Sequence, residues 1–264
     1  HARKILVANV PAYGEHTVAE HTFALILSLS RNVHKAYVRT AKGDFSLQGL
    51  QGLDLKGKTI GVVGAGRIGM HVIKMAKGFG MEALAYDVRK DPFLSEVLDF
   101  RYVTLPELLQ RSDIVSLHLP YTPATHHLMN RETFRIMKRG GLLINTARGG
   151  LIDTHALVRA LDEGIVGGAG LDVLEGEELV KEERQLLEKD FPKDRLITAL
   201  KNHILLHREN VVITPHIAFD SREALQRILE TTVANIVNFL HGAPTNLVAR
   251  SVHPALSGKG GARR

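Results

Sequence analysis

Short apolar runs, separated by glycine-rich turns and alternating with stretches of helical spacing, recur along the chain. Thr59 to Val63 reads as a buried parallel strand, since a strand covered on both faces shows a continuous apolar run. Ile68, Val72, Met75 and Phe79 follow at helical spacing, and Glu82 to Tyr86 forms a second strand. The alternation continues through strands at Arg101 to Val103, Ile114 to Leu119, Leu142 to Asn145, Gly168 to Val173 and Val211 to Ile213. Between them lie helices opening at Thr104, running from Arg131 to Lys138, and capped by Asp153. Thr104-Leu105-Pro106-Glu107 has the form of a capping box. Repeated βα units predict an α/β fold with a doubly wound parallel sheet.

The flanks read differently. Lys4 to Val10 reads as one strand, then Pro11-Ala12-Tyr13-Gly14 turns the chain. Thr17 to about Lys42 reads as one long helix ended by Gly43, with Val18, Leu25, Leu29, Val33 and Ala36 on its apolar face. The charge-rich region Glu175 to Glu209 reads as an excursion before the last strand, with helical patterns around Leu179 to Lys189 and Leu196 to Leu206. A final helix, about Ser221 to His241, presents Leu225, Ile228, Thr232, Ile236 and Phe239. The tail from Ser257 has a disordered composition.

Between the first strand and helix stands Gly64-Ala65-Gly66-Arg67-Ile68-Gly69. Gly64 permits the tight turn, Gly66 lets a pyrophosphate approach the backbone, and Gly69 lets helix and strand pack closely. The helix N-terminus offers unpaired N–H groups to phosphates. Asp87 ends the second strand 18 residues beyond Gly69, where an acid accepting ribose hydroxyls is expected. Together these predict a bound dinucleotide.

Composition narrows the chemistry. The chain has 264 residues, enough for one large or two modest domains, and a 44% hydrophobic share that supplies a full core. It has no cysteine, which excludes disulfides, thiolate metal sites and cysteine nucleophiles. No G-x-S-x-G elbow or P-loop occurs. Adjacent His126 and His127 do not form a metal pair, and no metal site is expected. The formal charge of +6 comes from scattered residues apart from Lys259 to Arg264, so no nucleic-acid partner is expected. The longest apolar stretch, Phe23 to Leu29, is too short for a bilayer, and the first residues lack a signal peptide's apolar core. A cytoplasmic location and no membrane partner are expected.

Ligands of such a sheet sit beyond the carboxyl ends of its strands. Arg148, Asp172, Glu177 and His216 all follow predicted strands. Arginine can hold a carboxylate and polarise a ketone. An imidazolium can donate a proton near neutral pH, and a carboxylate beside it favours the protonated form. The set therefore suits hydride reduction of a 2-keto acid, with Arg148 on the substrate and His216 with Glu177 as acid/base pair. Asp172 is free to contact the nicotinamide or its ribose. Glu177 lies in an acidic run with Glu175 and Glu178, so spacing alone does not choose among them.

These motifs resemble the D-isomer-specific 2-hydroxyacid dehydrogenases. The match is carried by Asn9 to Tyr13 with Val18 to Thr22; Gly64 to Gly69; Tyr86-Asp87; Ser116-Leu117-His118-Leu119-Pro120; Asn145-Thr146-Ala147-Arg148-Gly149; Gly170 to Val173 with Glu175 and Glu177; and Thr214-Pro215-His216-Ile217-Ala218-Phe219. Phe45-Ser46-Leu47 and Ala218-Phe219 look most like the D-lactate dehydrogenase branch. The resemblance implies NAD as cofactor, pyruvate and D-lactate as substrate pair, and a homodimer formed through the long helix. It implies that Arg148 and His216 bind substrate, with Tyr13 facing it, and that Glu177 partners His216. Gly64, Gly66, Arg67, Ile68, Gly69, Asp87, His118, Leu119, Pro120, Thr125, Thr146, Ala147, Asp172, His216 and Ala218 would hold the cofactor. Asp87 would favour NAD over NADP, while Arg89 leaves an opening for a 2′-phosphate.

Family members also carry an N-terminal lobe of roughly 100 residues, about one small domain. The expected organisation is a dinucleotide-binding domain over 14–220, parts of a substrate domain at 1–13 and 221–256, and a tail at 257–264. Without that lobe the chain is expected to bind NAD(H) and turn over poorly. The alternative is a non-catalytic NAD(H)-sensing protein, as in the corepressor relatives.

Overall fold

Seven strands form one parallel sheet in the computed structural model, which describes residues 5–177 and 193–248. They are β1 (Thr59–Val63), β2 (Glu82–Tyr86), β3 (Arg101–Tyr102), β4 (Ile114–Leu117), β5 (Gly141–Asn145), β6 (Val166–Leu171) and β7 (Val211–Ile213), in the order β3-β2-β1-β4-β5-β6-β7. The order reverses between β1 and β4, the switch point where such sheets open a crevice. The doubly wound α/β expectation holds.

Apolar side chains alternate between two cores, one on each face. Ile60, Val62, Ile114, Leu142 and Ile144 join the core with Val72 and Ile73. Val63, Val115, Leu117 and Leu143 join the core with Leu108, Phe134 and Leu157. Coverage on both faces is why these strands read as unbroken apolar runs.

The helices among the described residues are α1 (Glu15–Ser30), α2 (Val33–Ala41), α3 (Arg67–Gly78), α4 (Pro92–Val97), α5 (Leu105–Arg111), α6 (Arg131–Arg135), α7 (Thr154–Asp162), α8 (Lys193–Leu206) and α9 (Arg222–Leu240). The single helix expected over 17–42 is two. Asn32 adopts φ 52°, a left-handed conformation asparagine tolerates better than most residues. Its amide donates to the Gln51 carbonyl at 3.1 Å, and the Leu53 amide caps the Ser30 carbonyl at 2.8 Å. The buried face of α3 is Gly69, Val72, Ile73 and Ala76 rather than the expected set, and Phe79 is exposed. β6 begins and ends two residues earlier than expected, and β4 ends at Leu117. Gly170 makes room for α1: a Cβ there would lie 2.9 Å from the Leu25 Cβ.

The chain divides into two compact units. One, Glu15–Phe219, holds the sheet. The other is built, among the described residues, from 5–14 and 220–248. In it, the strand expected over Lys4 to Val10 is a single antiparallel bridge, Ala8 to Leu247, flanked by bonds from Asn9 to Asn246 and from Val248 to Val7. Ser221 caps α9 through the Ala224 amide, and Arg227 Nε donates to the Tyr13 carbonyl at 2.8 Å. Leu225, Ile236 and Phe239 keep the expected helical spacing but remain exposed. The expected helix at Leu179 to Lys189 and the tail from Ser257 lie outside the described residues.

Candidate active site

The turn from β1 into α3 is shaped by three absent Cβ atoms. Gly64 has φ 99°, and a Cβ would lie 2.8 Å from the His118 carbonyl carbon and oxygen. At Gly69 a Cβ would come within 2.1 Å of the Gly64 oxygen, so helix and strand could not approach. Gly66 differs: its Cβ would meet nothing within 4 Å, leaving an open cradle at the helix N-terminus. Beside it runs a groove of about 830 Å³ lined by Gly66, Arg67, Met70, Asp87, Arg89 and Tyr102. That size suits a nucleotide. Asp87 accepts from the Ala65 amide at 2.8 Å and the Arg89 amide at 2.9 Å, which ties the end of β2 to the glycine turn. Ile68 is half-buried in the first turn of α3.

The loop after β4 carries His118, Leu119, Pro120 and Thr125. His118 Nε2 bonds Ser116 Oγ at 2.8 Å, and burial pushes its imidazole down to about 3, so it is neutral at physiological pH. Thr125 Oγ donates to the Pro120 carbonyl and holds the turn closed. After β5, Thr146 is buried against Thr22, with 3.0 Å between their hydroxyls, and the Ala147 amide donates to Asn145. Arg148 follows with an exposed side chain.

After β6 and β7 the chain places an imidazole against a carboxylate. His216 Nδ1 lies 2.9 Å from Glu177 Oε1, both groups about one-third exposed. His216 has φ 59°, and the turn holding it is pinned from below by Asp172. The Asp172 carboxylate accepts from Thr214 Oγ1 at 2.5 Å and from the Ile217 and Ala218 amides at 2.9 Å each. His21 Nε2 stands 3.5 Å away. Burial would raise this carboxyl, but the bonds from His21, Thr214, Ala218 and Ile217 outweigh it and hold Asp172 below the usual carboxylate range. β5, β6 and β7 are adjacent, so the segments that carry Arg148, Glu177 and His216 leave the sheet from neighbouring strands.

A family model described as D-isomer specific 2-hydroxyacid dehydrogenase, NAD binding domain, matches residues 23–218. The chain belongs to that family. It is an NAD-dependent D-2-hydroxyacid dehydrogenase. Among its relatives, 2-hydroxyacid dehydrogenase homolog 1 of Schizosaccharomyces pombe is 45% identical over 236 residues, covering 89% of this chain and 69% of that protein. D-lactate dehydrogenase of Escherichia coli is 41% identical over 244 residues, covering 92% and 72%. The solved D-lactate dehydrogenase of Aquifex aeolicus, complexed with NAD and lactic acid, superposes with a TM-score of 0.84 at 42% identity, covering 94% and 74%. No helix among the described residues is long and apolar enough to cross a membrane.

For this dehydrogenase the open cradle, the groove and Asp87 fit an NAD molecule. The Asp172 side chain is buried, and its oxygens face the His216 turn and hold it in place. Tyr13 belongs to the other unit. Two residues not chosen as site residues stand out, His127 and Glu175, joined at 2.5 Å. The acidic run is thereby sorted: Glu177 meets His216 and Glu175 meets His127. Among the described residues no cluster of three potential metal ligands occurs.

Proposed function

We propose that this dehydrogenase interconverts a small 2-keto acid and its D-2-hydroxy acid, pyruvate and D-lactate foremost, with Arg148, His216 and Glu177 acting on the substrate. The observation that carries this reading is the 2.9 Å contact between His216 and Glu177 at the strand ends next to the Arg148 loop. Relatives named D-lactate dehydrogenase support the choice of acid.

Bound NADH supplies the hydride that reaches the carbonyl carbon. Arg148 holds the substrate carboxylate and polarises the carbonyl through its fork of donors. His216 delivers a proton from Nε2 to the carbonyl oxygen, and recovers it in the reverse direction. Glu177, on Nδ1, fixes which nitrogen faces the substrate and stabilises the imidazolium. Amides of Gly66 to Gly69 receive the pyrophosphate and Asp87 the adenine ribose. His118, Leu119, Pro120, Thr125, Thr146, Ala147 and Ala218 line the rest. Residues 1–13 and 221–256, Tyr13 among them, belong to a substrate domain. The apolar side chains left exposed on α2, Val33, Tyr37 and Val38, form a homodimer contact.

The test is NADH consumption by the purified chain with pyruvate and larger 2-keto acids, alongside fluorescence titration of NADH. Slow consumption abolished by His216→Ala, with NADH binding kept, is the expected result. Binding without consumption of any 2-keto acid would remove the proposed reaction from this chain and leave its cofactor site standing.

A further inference from the structure

Glu175 touches no part of the groove described above, yet it is held at more points than any other carboxylate near His216 except Asp172. Its Oε1 lies 2.5 Å from His127 Nε2, in the segment after β4. Its Oε2 accepts from Thr154 Oγ1 at 2.8 Å and the Thr154 amide at 3.2 Å, at the start of α7. Its carbonyl accepts at 2.8 Å from Asn202, which is fully buried on α8. Its amide lies against the Arg148 loop: a Cβ on Gly149 would come within 2.5 Å of Glu175 N and 2.0 Å of the Leu174 oxygen.

Helix capping does not account for this investment. Asp153 already caps α7 through the Ala156 amide at 3.1 Å. The His127 segment is separately stitched to 150–153 by bonds from His127 to Gly150 and from Met129 to Leu151. His127 itself has φ 50°, a strained conformation that persists only where surroundings over-determine it. What Glu175 adds is a tie from those segments to the chain leading to Glu177. One residue intervenes, Gly176 with φ 64°. Two residues span at most about 7 Å, so the anchor at Glu175 limits where the Glu177 carboxylate can stand.

The geometry points to Glu175 as a positioning residue of the reaction: through its clasp on His127 and Thr154 it holds the Glu177 loop in register with both His216 and the Arg148 loop. This rests on the proposed roles of Glu177 and His216. The charge-neutral Glu175→Gln keeps the shape but disturbs a carboxylate that accepts from three groups.

The experiment compares wild type, Glu175→Gln, Glu177→Gln and the double variant in kcat/KM for 2-keto acid, NADH affinity and thermal midpoint. Glu175→Gln is expected to lower kcat/KM by about tenfold to a hundredfold, as small misplacements near reacting groups do, with NADH affinity within about twofold. Added to Glu177→Gln it should cost less than about twofold more, because residues acting through one another are non-additive. His127→Gln and Thr154→Val, which loosen the same clasp, should lower kcat/KM in the same direction. A full multiplicative effect on the Glu177→Gln background, or a lowered thermal midpoint with unchanged kcat/KM, overturns the inference. A crystal structure of Glu175→Gln decides it independently of turnover: the Glu177–His216 bond should open beyond 3.5 Å, and its retention at 2.9 Å overturns the clasp. A wild type that consumes no NADH counts instead against the proposed reaction.

Discussion

Asp172 shows how one buried carboxylate holds the turn that carries another residue, His216. It is buried, ionised and bonded to the three residues that bracket His216, and it stabilises a turn in which His216 takes a positive φ. Its carboxyl is held below the ordinary value of 3.8, so near that pH the unfolded chain binds a proton that the folded chain does not. Stability from this group is therefore fully present above pH 4 or so, and is lost as pH falls through the folded value. Asp172→Asn should cost about 2 kcal/mol at pH 7, the scale for hydrogen bonds to a buried charge, and should flatten the stability profile below about pH 4. Denaturant titrations from pH 3 to 7 measure both. An unchanged acid limb in the variant would mean that Asp172 is not the group that titrates.

At the scale of elements, the turn between β1 and α3 separates two uses of glycine. Gly69 serves packing, since any Cβ collides with the Gly64 carbonyl, whereas at Gly66 a Cβ would stand in open space beside the groove proposed for the cofactor. Gly69→Ala should destabilise the fold by about 1–3 kcal/mol, the cost of overpacking, with a lowered thermal midpoint. Gly66→Ala should leave the midpoint within about 1 °C, because surface changes are nearly neutral, while weakening NADH binding at least tenfold in a fluorescence titration. Equal loss of stability from both would show that Gly66 is structural. Elements of this kind are legible in sequence because a doubly covered strand is written as an apolar run and a tight turn as a glycine. The break at Asn32 was not, because it depends on the Gln51 and Leu53 backbone groups docking back onto the end of α1. For the same reason the acidic run could not be sorted from spacing. The partner of Glu175 is His127, 48 residues earlier, and that of Glu177 is His216, 39 residues later. The start of β6 was misplaced because Val166-Gly167-Gly168 lacks the apolar run that marks the other strands.

At the scale of the molecule, α2 poses the sharpest question. It buries no residue of its own, yet Val33 and Tyr37 are four positions apart and so share a face, and Val38 is exposed as well. Tyr37 is 75% exposed, and Phe45 and Leu47, just beyond the helix, are 77% and 83% exposed. Five large apolar side chains are exposed within fifteen positions, and exposed apolar surface, where contiguous, marks association sites. The same helix is tied to the chain before β7 through His34, whose Nε2 meets the Glu209 carbonyl at 2.8 Å. A helix presenting uncovered apolar groups suits a two-fold contact, in which each copy offers the same patch to the other. Sedimentation velocity at micromolar concentration should therefore show a dimer. Tyr37→Asp with Val38→Asp should convert it to a monomer, since charges facing each other across an apolar contact oppose association. NADH affinity should stay within about twofold, because the changed positions lie outside the groove at Gly66 and Asp87. A wild type that sediments as a monomer throughout the micromolar range would remove α2 as an interface between copies of this chain.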